Sequence, residues 1–158
     1  MTDYSHFAAL DVTAETTREY TFDMIPGEPS IILAPAHDSN EAFLNERLRM
    51  QLERAEATVA APRGKKAPKA TPESLRKGIE EDRDFDRKLI ANTCARGWGV
   101  PPKDKNGKSP EFSPAECYDF LNALPDWMFD PLRNYAANIY NFIDRSAITG
   151  GADALGNS

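Results

Sequence analysis

Aromatic residues are concentrated in one stretch of this chain, and that concentration limits what the chain can fold into. Nine of the fifteen aromatics lie between residues 96 and 142: Trp98, Phe112, Tyr118, Phe120, Trp127, Phe129, Tyr135, Tyr140 and Phe142. Large rings dominate the energetics of protein cores and interfaces. This stretch must therefore form a tightly packed core, bind another chain, or do both.

The composition predicts one modest domain with arms. The chain has 158 residues, an apolar fraction of 41% and twelve prolines, which together favour a small core with linkers and tails. A net charge of −6 argues against general nucleic-acid binding, because phosphates attract a basic surface. No apolar run reaches the roughly 18 residues that indicate a membrane span, so no membrane partner is expected.

The N-terminal part predicts a β-hairpin followed by a helix over residues 18–57. Residues 1–17 are weakly patterned and predict a flexible arm, with Phe7 and Leu10 as candidate anchors. Residues 19–25 alternate as in a strand, which would put Tyr20, Phe22 and Met24 on one face. A proline- and glycine-rich turn separates this run from a second β-rich run at 30–35.

A helix is expected next, from about Glu41 to Ala57. Its predicted apolar stripe follows i, i+4 spacing and consists of Phe43, Leu44, Leu48 and Leu52. Residues 58–70 then predict a linker, because proline, glycine and basic residues cannot bury a face. Nucleic-acid binding by the linker's Arg63, Lys65, Lys66 and Lys69 is the less favoured alternative, since no aromatic is interleaved with them.

Residues 71–145 predict a C-terminal helical module. One helix is expected from Thr71 as N-cap to about Ala95, with Gly97 just after its end. A second begins at the Ser113–Pro114 cap, and a tight helical turn at 126–129 leads to a last helix that starts at Asp130 and carries an apolar stripe to Ile143. Residues 146–158 are glycine-rich and predict a disordered tail. The fold class is therefore mainly α with a small N-terminal β-hairpin, an α+β protein.

The sequence offers no arrangement of residues that is typical of catalysis. The two histidines, His6 and His37, lie outside any triad pattern, and no metalloprotease, paired CxxC, phosphate-loop or dinucleotide motif occurs. The carboxylates of the second helix alternate with arginine and lysine, which favours a solvated face over a metal cluster. We therefore expect no enzyme, no cofactor and no metal.

Cys94 and Cys117 stand at helical positions beside apolar neighbours. Two reduced core thiols are the favoured interpretation for a non-secreted chain, and a disulfide or a reactive thiol is the alternative.

Partner contact is the remaining role for the aromatic stretch. Trp127, Met128 and Phe129 are consecutive, and three consecutive residues of a helical turn cannot all face one core. Burial is favoured for Trp127, while core and interface are evenly balanced for Met128. Trp98 and Tyr140 complete the predicted partner-binding set.

Several of these motifs resemble one protein family. The run EYTFDMIPGEPSIILAPA at 19–36 and the helix NEAFLNERLR at 40–49 resemble the opening of tail assembly chaperones from long-tailed, siphovirus-like bacteriophages. The later motifs WGV, DKNGK, FSPAE, LPDWMF and LRNYAANIYNF are similar to the C-terminal module of that family. The resemblance covers residues 18–57 and 89–143.

The resemblance implies a function without catalysis. Such a protein binds the long helical tape measure protein in the host cytoplasm, keeps it soluble until tail tube subunits replace it, and is absent from the mature virion. The tail tube protein and a frameshifted form of the chain are further candidate partners, and self-association stays open. The alternative is a structural neck or tail component of the virion.

Overall fold

The computed structural model describes residues 1–59 and 69–144. It is mainly helical with one small antiparallel sheet, which confirms the coarse fold class. Two short 3₁₀ helices lie at Ser5–Leu10 and Ile139–Phe142. The main elements are β1 (Arg18–Thr21), β2 (Ser30–Leu33), α1 (Glu41–Val59), α2 (Pro72–Thr93), β3 (Ala95–Trp98), α3 (Pro114–Ala123) and α4 (Asp126–Ala137).

The sheet has three strands in the order β1-β2-β3, one more than the predicted hairpin. β1 and β2 pair antiparallel with Tyr20 opposite Ile31. On its other side β2 pairs with β3, with Ile31 opposite Trp98. The middle strand is therefore bonded along both edges, and its Ile31 and Leu33 are fully buried.

The third strand corrects the prediction that α2 continues to Ala95 with Gly97 as its end signal. α2 ends at Thr93, and the N–H of Cys94 donates to the Ile90 carbonyl as the C-cap. The chain then enters β3 directly, where Gly97 is a strand residue paired with Ile32. An open strand edge on β2 offers this segment more backbone hydrogen bonds than another helical turn would.

Residues 22–25 also differ from the predicted strand. β1 stops at Thr21, and the Phe22 N–H donates to the Pro29 carbonyl across the connection. Tyr20, Phe22 and Met24 consequently do not share one face: Phe22 is buried in the core, while Met24 is exposed. Gly27, with φ +85°, supplies the backbone conformation that this turn requires.

Two predicted helix starts are confirmed by their caps. The Thr71 hydroxyl accepts from the Ser74 N–H at 3.1 Å, with Pro72 as the first helical residue. The Ser113 hydroxyl accepts from the Glu116 N–H at 3.1 Å at the start of α3. Both signals lie within four residues of sequence and therefore need no tertiary context.

The last helix corrects the predicted split at Asp130. Residues 126–137 form one helix, α4, with Pro131 inside it and no side-chain cap at its start. Asp130 lies in the helix interior, where its carboxylate pairs with Arg83. The helix ends at Ala137, and the end of the predicted stripe continues as the short 3₁₀ helix, which buries Phe142.

α1 buries only part of its predicted apolar stripe. Phe43 is buried, but Leu48 and Leu52 are exposed, 65% in the case of Leu52. The face toward α2 is partly polar, and its Arg54 pairs with Asp82 at 2.8 Å. Part of the predicted apolar stripe therefore lies on the surface.

One core joins residues from both halves of the chain. It includes Phe22, Ile31 and Leu33 from the first half with Leu121 and Phe129 from the second. Near the N-terminus the anchor is Val12, while the predicted anchors Phe7 and Leu10 are exposed. Residues 60–68 of the predicted linker, with Arg63, Lys65 and Lys66, lie outside the described residues, as does the predicted tail at 146–158.

Candidate functional site

An open groove of about 240 Å³ lies between the end of the first strand and the start of α4. Two segments line it: residues 20–24, and the α4 residues Trp127, Met128 and Pro131. We call it the Met24–Trp127 groove. Its volume is below the roughly 300–1,000 Å³ of small-molecule pockets, and it has room for one or two side chains.

Two large apolar side chains of the groove are exposed. Met24 is 72% exposed and Trp127 is 62% exposed. A thioether adapts its shape to a partner, and tryptophan is enriched among residues that dominate binding energy. The pair therefore has the composition of a protein-binding surface.

The interior side of the groove is held by aromatic packing. The Phe22 ring is buried and lies edge-on to Tyr20, with 5.1 Å between ring centroids, and to Phe120, with 5.2 Å. Tyr20 packs in the same manner on Tyr135 at 5.2 Å. Edge-to-face pairs of this kind fix ring orientation. The groove thus has an ordered inner lining and an exposed rim.

Four charged side chains fix α4, and with it Trp127, on α2. Arg83 and Arg87 are four residues apart on α2, and Asp126 and Asp130 are four residues apart on α4. Arg83 donates to both oxygens of Asp130, at 3.0 and 3.2 Å, and to Asp126 at 3.0 Å. Arg87 donates to Asp126 at 2.9 Å. We call these four residues the Arg–Asp lattice.

The lattice also lowers the pKa of one carboxyl group and helps to position Phe129. Hydrogen bonds from Arg83 hold the pKa of Asp130 below its ordinary value. The guanidinium groups of Arg87 and Arg133 lie over the Phe129 ring, at 5.2 and 5.9 Å from its centroid. Cations over an aromatic face add to the attachment of this helix.

Pro131 gives the groove an unusual backbone feature. It lies inside α4 and has no N–H, so the helical hydrogen bond from residue 131 to the Trp127 carbonyl cannot form. That carbonyl belongs to a groove-lining residue.

The structure separates the five residues predicted to bind a partner. Trp127 and Met128 both line the groove, and Trp127 is exposed although burial was favoured for it. Phe129 is fully buried in the core. Tyr140 is 67% exposed but lies outside the groove lining.

The fifth residue, Trp98, is half-buried in the sheet. Its ring packs edge-on against Phe112 at 5.3 Å and Phe120 at 5.6 Å. Its buried indole Nε1 has no hydrogen-bond partner among the described residues. Trp98 therefore packs against core aromatics and does not line the groove.

Met24, Asp23 and Pro131 were missed as groove residues. The alternating pattern predicts a strand face for Met24, although Asp23 and the Pro26–Gly27 pair that follows are residues typical of a turn. The lattice was missed because its acidic and basic pairs lie about forty residues apart in sequence. The available signal was their common i, i+4 spacing.

The two thiols are buried and free, as favoured from the sequence. Burial raises the pKa of Cys94 to about 11 and that of Cys117 to about 12. Both are protonated at neutral pH, and a protonated thiol is a poor nucleophile.

Within residues 1–59 and 69–144, no cluster of three or more His, Cys, Asp or Glu side chains is arranged to hold a metal ion. None of the helices in these ranges combines the length and apolar character needed to cross a bilayer. No protein-family model, curated protein or solved structure matches the chain.

Proposed function

We propose that this chain is a non-catalytic tail assembly chaperone of a long-tailed bacteriophage. It binds the tape measure protein in the host cytoplasm, keeps it soluble until tail tube subunits replace it, and is absent from the mature virion. The proposal is supported by one structural observation above the others: Met24 and Trp127 are exposed beside an ordered aromatic lining, at a groove of side-chain size.

The geometry suits a helical client. An amphipathic helix presents apolar side chains at i, i+3 and i+4, and grooves that accept two of them are a recurrent mode of helix recognition. A groove of about 240 Å³ gives only a weak single contact. Many copies along one long helical client gain strength from multivalency, and each copy stays easy to displace.

Co-expression with the tape measure protein of the same phage tests the proposal. We expect the wild-type chain to raise the client's soluble yield and to co-purify with it. Trp127→Ser should abolish both effects, because it removes the largest exposed ring of the groove. Leu52→Ser is a matched control, since Leu52 is exposed to the same degree but lies on α1 outside the groove.

The melting temperature of each variant separates binding from folding. Trp127→Ser should melt within a few degrees of wild type, because exposed substitutions change stability by about 0.5 kcal/mol or less. Unchanged client solubility with the wild-type chain, and no co-purification, would contradict the proposal.

A structural virion component is the second candidate, and one observation favours it. The 3₁₀ helix at Ser5–Leu10 and its preceding residue expose Tyr4, Phe7 and Leu10 together. Such an exposed apolar segment can pack against a neighbouring subunit. Mass spectrometry of purified particles distinguishes the two: a component is present at stoichiometric amounts and a chaperone is absent. The same preparations, and pull-downs from infected cells, test tail tube protein and a frameshifted form as further partners.

A further inference from the structure

The Met24–Trp127 groove carries one type of charge. Its lining contains the exposed carboxylate of Asp23 and neither lysine nor arginine. Asp23 forms no ion pair within residues 1–59 and 69–144. A partner that fills the groove therefore meets an uncompensated negative charge next to apolar surface.

The other carboxylates beside the groove are already paired. Asp126 and Asp130 lie at the start of α4, but Arg83 and Arg87 neutralise them. These two acidic residues also offset the positive end of the α4 dipole, which would otherwise favour an anion there. Asp23 is thus the groove's available charged group.

The Asp23 carboxylate accepts hydrogen bonds and carries a negative charge, so it suits a group that only donates, which is the property of a lysine ammonium or an arginine guanidinium.

We infer that the groove recognises a basic amphipathic helix, in which an apolar side chain contacts Met24 and Trp127 and a neighbouring lysine or arginine binds Asp23. This inference rests on the proposed function, because it names the chemistry of the client at the same groove. The client segment carries its cation within one helical turn of the apolar residue, since side chains three or four positions apart are neighbours on a helix.

Two synthetic peptides test the charge preference. Both have leucines at helical spacing; one carries lysine at all other positions and the other glutamate. Binding to the full chain is followed by tryptophan fluorescence, with Trp127→Phe identifying the signal of the groove. We expect the leucine–lysine peptide to bind more tightly, and its affinity to fall as salt rises from about 50 to about 500 mM, because salt screens exposed charges.

The decisive variant is Asp23→Lys, compared with Glu56→Lys. Glu56 is exposed on α1, so both variants carry the same net charge, and any general attraction of a basic peptide to an acidic chain is equal in the two. Asp23→Lys should weaken leucine–lysine binding about three- to tenfold relative to Glu56→Lys. Equal affinities of the two variants would overturn the inference.

Client co-purification keeps this outcome separate from the proposed function. If Asp23→Lys retains the tape measure protein at wild-type yield and also binds the basic peptide normally, the charge preference is wrong while the chaperone proposal stands. If the peptide results hold but the wild-type chain does not retain the tape measure protein, the groove recognises a different basic helix and the chaperone proposal fails.

Discussion

Asn40 connects three segments of the fold through a single buried amide. Its side-chain nitrogen donates to the Pro35 carbonyl at 3.0 Å and to the Thr93 carbonyl at 3.1 Å. The second of these carbonyls belongs to the last residue of α2, where helical carbonyls lack intrahelical donors. The chain after β2, the start of α1 and the end of α2 therefore meet at this residue.

Asn40→Ala should destabilise the fold by about 1–3 kcal/mol. The substitution removes two buried hydrogen bonds, to the Pro35 and Thr93 carbonyls, and each such bond contributes about 0.5–1.5 kcal/mol, although the Thr93 carbonyl keeps Arg96 as a donor at 2.9 Å. Urea unfolding followed by circular dichroism measures the change. Asn45→Ala, on the exposed side of α1, is the control and should change stability by less than about 0.5 kcal/mol. A wild-type midpoint for Asn40→Ala would show that the amide is dispensable.

At the scale of elements, the Arg–Asp lattice decides where α4 lies and therefore where Trp127 is presented. Within the lattice, Arg87 is buried and Asp126 is half-exposed. A buried guanidinium depends on its partner, because removing one member of such a pair leaves an uncompensated charge. The lattice thus links the charged middle of α2, which the sequence indicated as a solvated face, to the geometry of the groove.

Asp126→Asn should cost about 1–3 kcal/mol of stability and also weaken client binding. The amide keeps the shape of the side chain but loses the charge that faces Arg87 and Arg83, and hydrogen bonds to charged groups contribute at this level. Glu81→Gln breaks the exposed pair with Lys77, whose closest atoms are 3.9 Å apart, and should cost less than about 0.5 kcal/mol. Equal effects of the two substitutions on urea midpoints would mean that the lattice contributes no more than a surface pair.

Some elements of the fold could be predicted from the sequence, and others could not. The starts of α2 and α3 could be predicted because their capping signals are local. β3 could not, because its only reason to be a strand is the edge of β2, more than sixty residues earlier. Trp127 exposure and the lattice depend on how α4 is placed on α2, which no local pattern encodes.

For the whole molecule, the important fact is that the two halves of the chain share one core. The hairpin and the helical module were predicted as consecutive units, yet β3 completes the sheet from the second half and Phe22 contacts Phe120 across the boundary. Cys94 and Cys117 both belong to this common core. Their exposure therefore reports on the unfolding of the entire structure.

The buried thiols make stability depend on pH on the alkaline side. In the unfolded chain a thiol ionises near pH 9, whereas in the fold the pKa is raised to about 11 for Cys94 and about 12 for Cys117. The folded state then holds more protons, so the free energy of unfolding is unaffected below pH 9 and falls as the pH rises through this window. The slope approaches about 1.4 kcal/mol per pH unit for each thiol.

A Cys94→Ala, Cys117→Ala double variant isolates this contribution. It will be less stable at neutral pH because it leaves small cavities, but its stability should decline less steeply between pH 9 and about 11 than that of wild type. In the native wild-type chain neither thiol should react with a thiol reagent faster than the chain unfolds, whereas a cysteine placed at exposed Ala57 should react at once. Parallel pH slopes, together with rapid native labelling of Cys94 or Cys117, would mean that the two halves open separately and that the core is not a single cooperative unit.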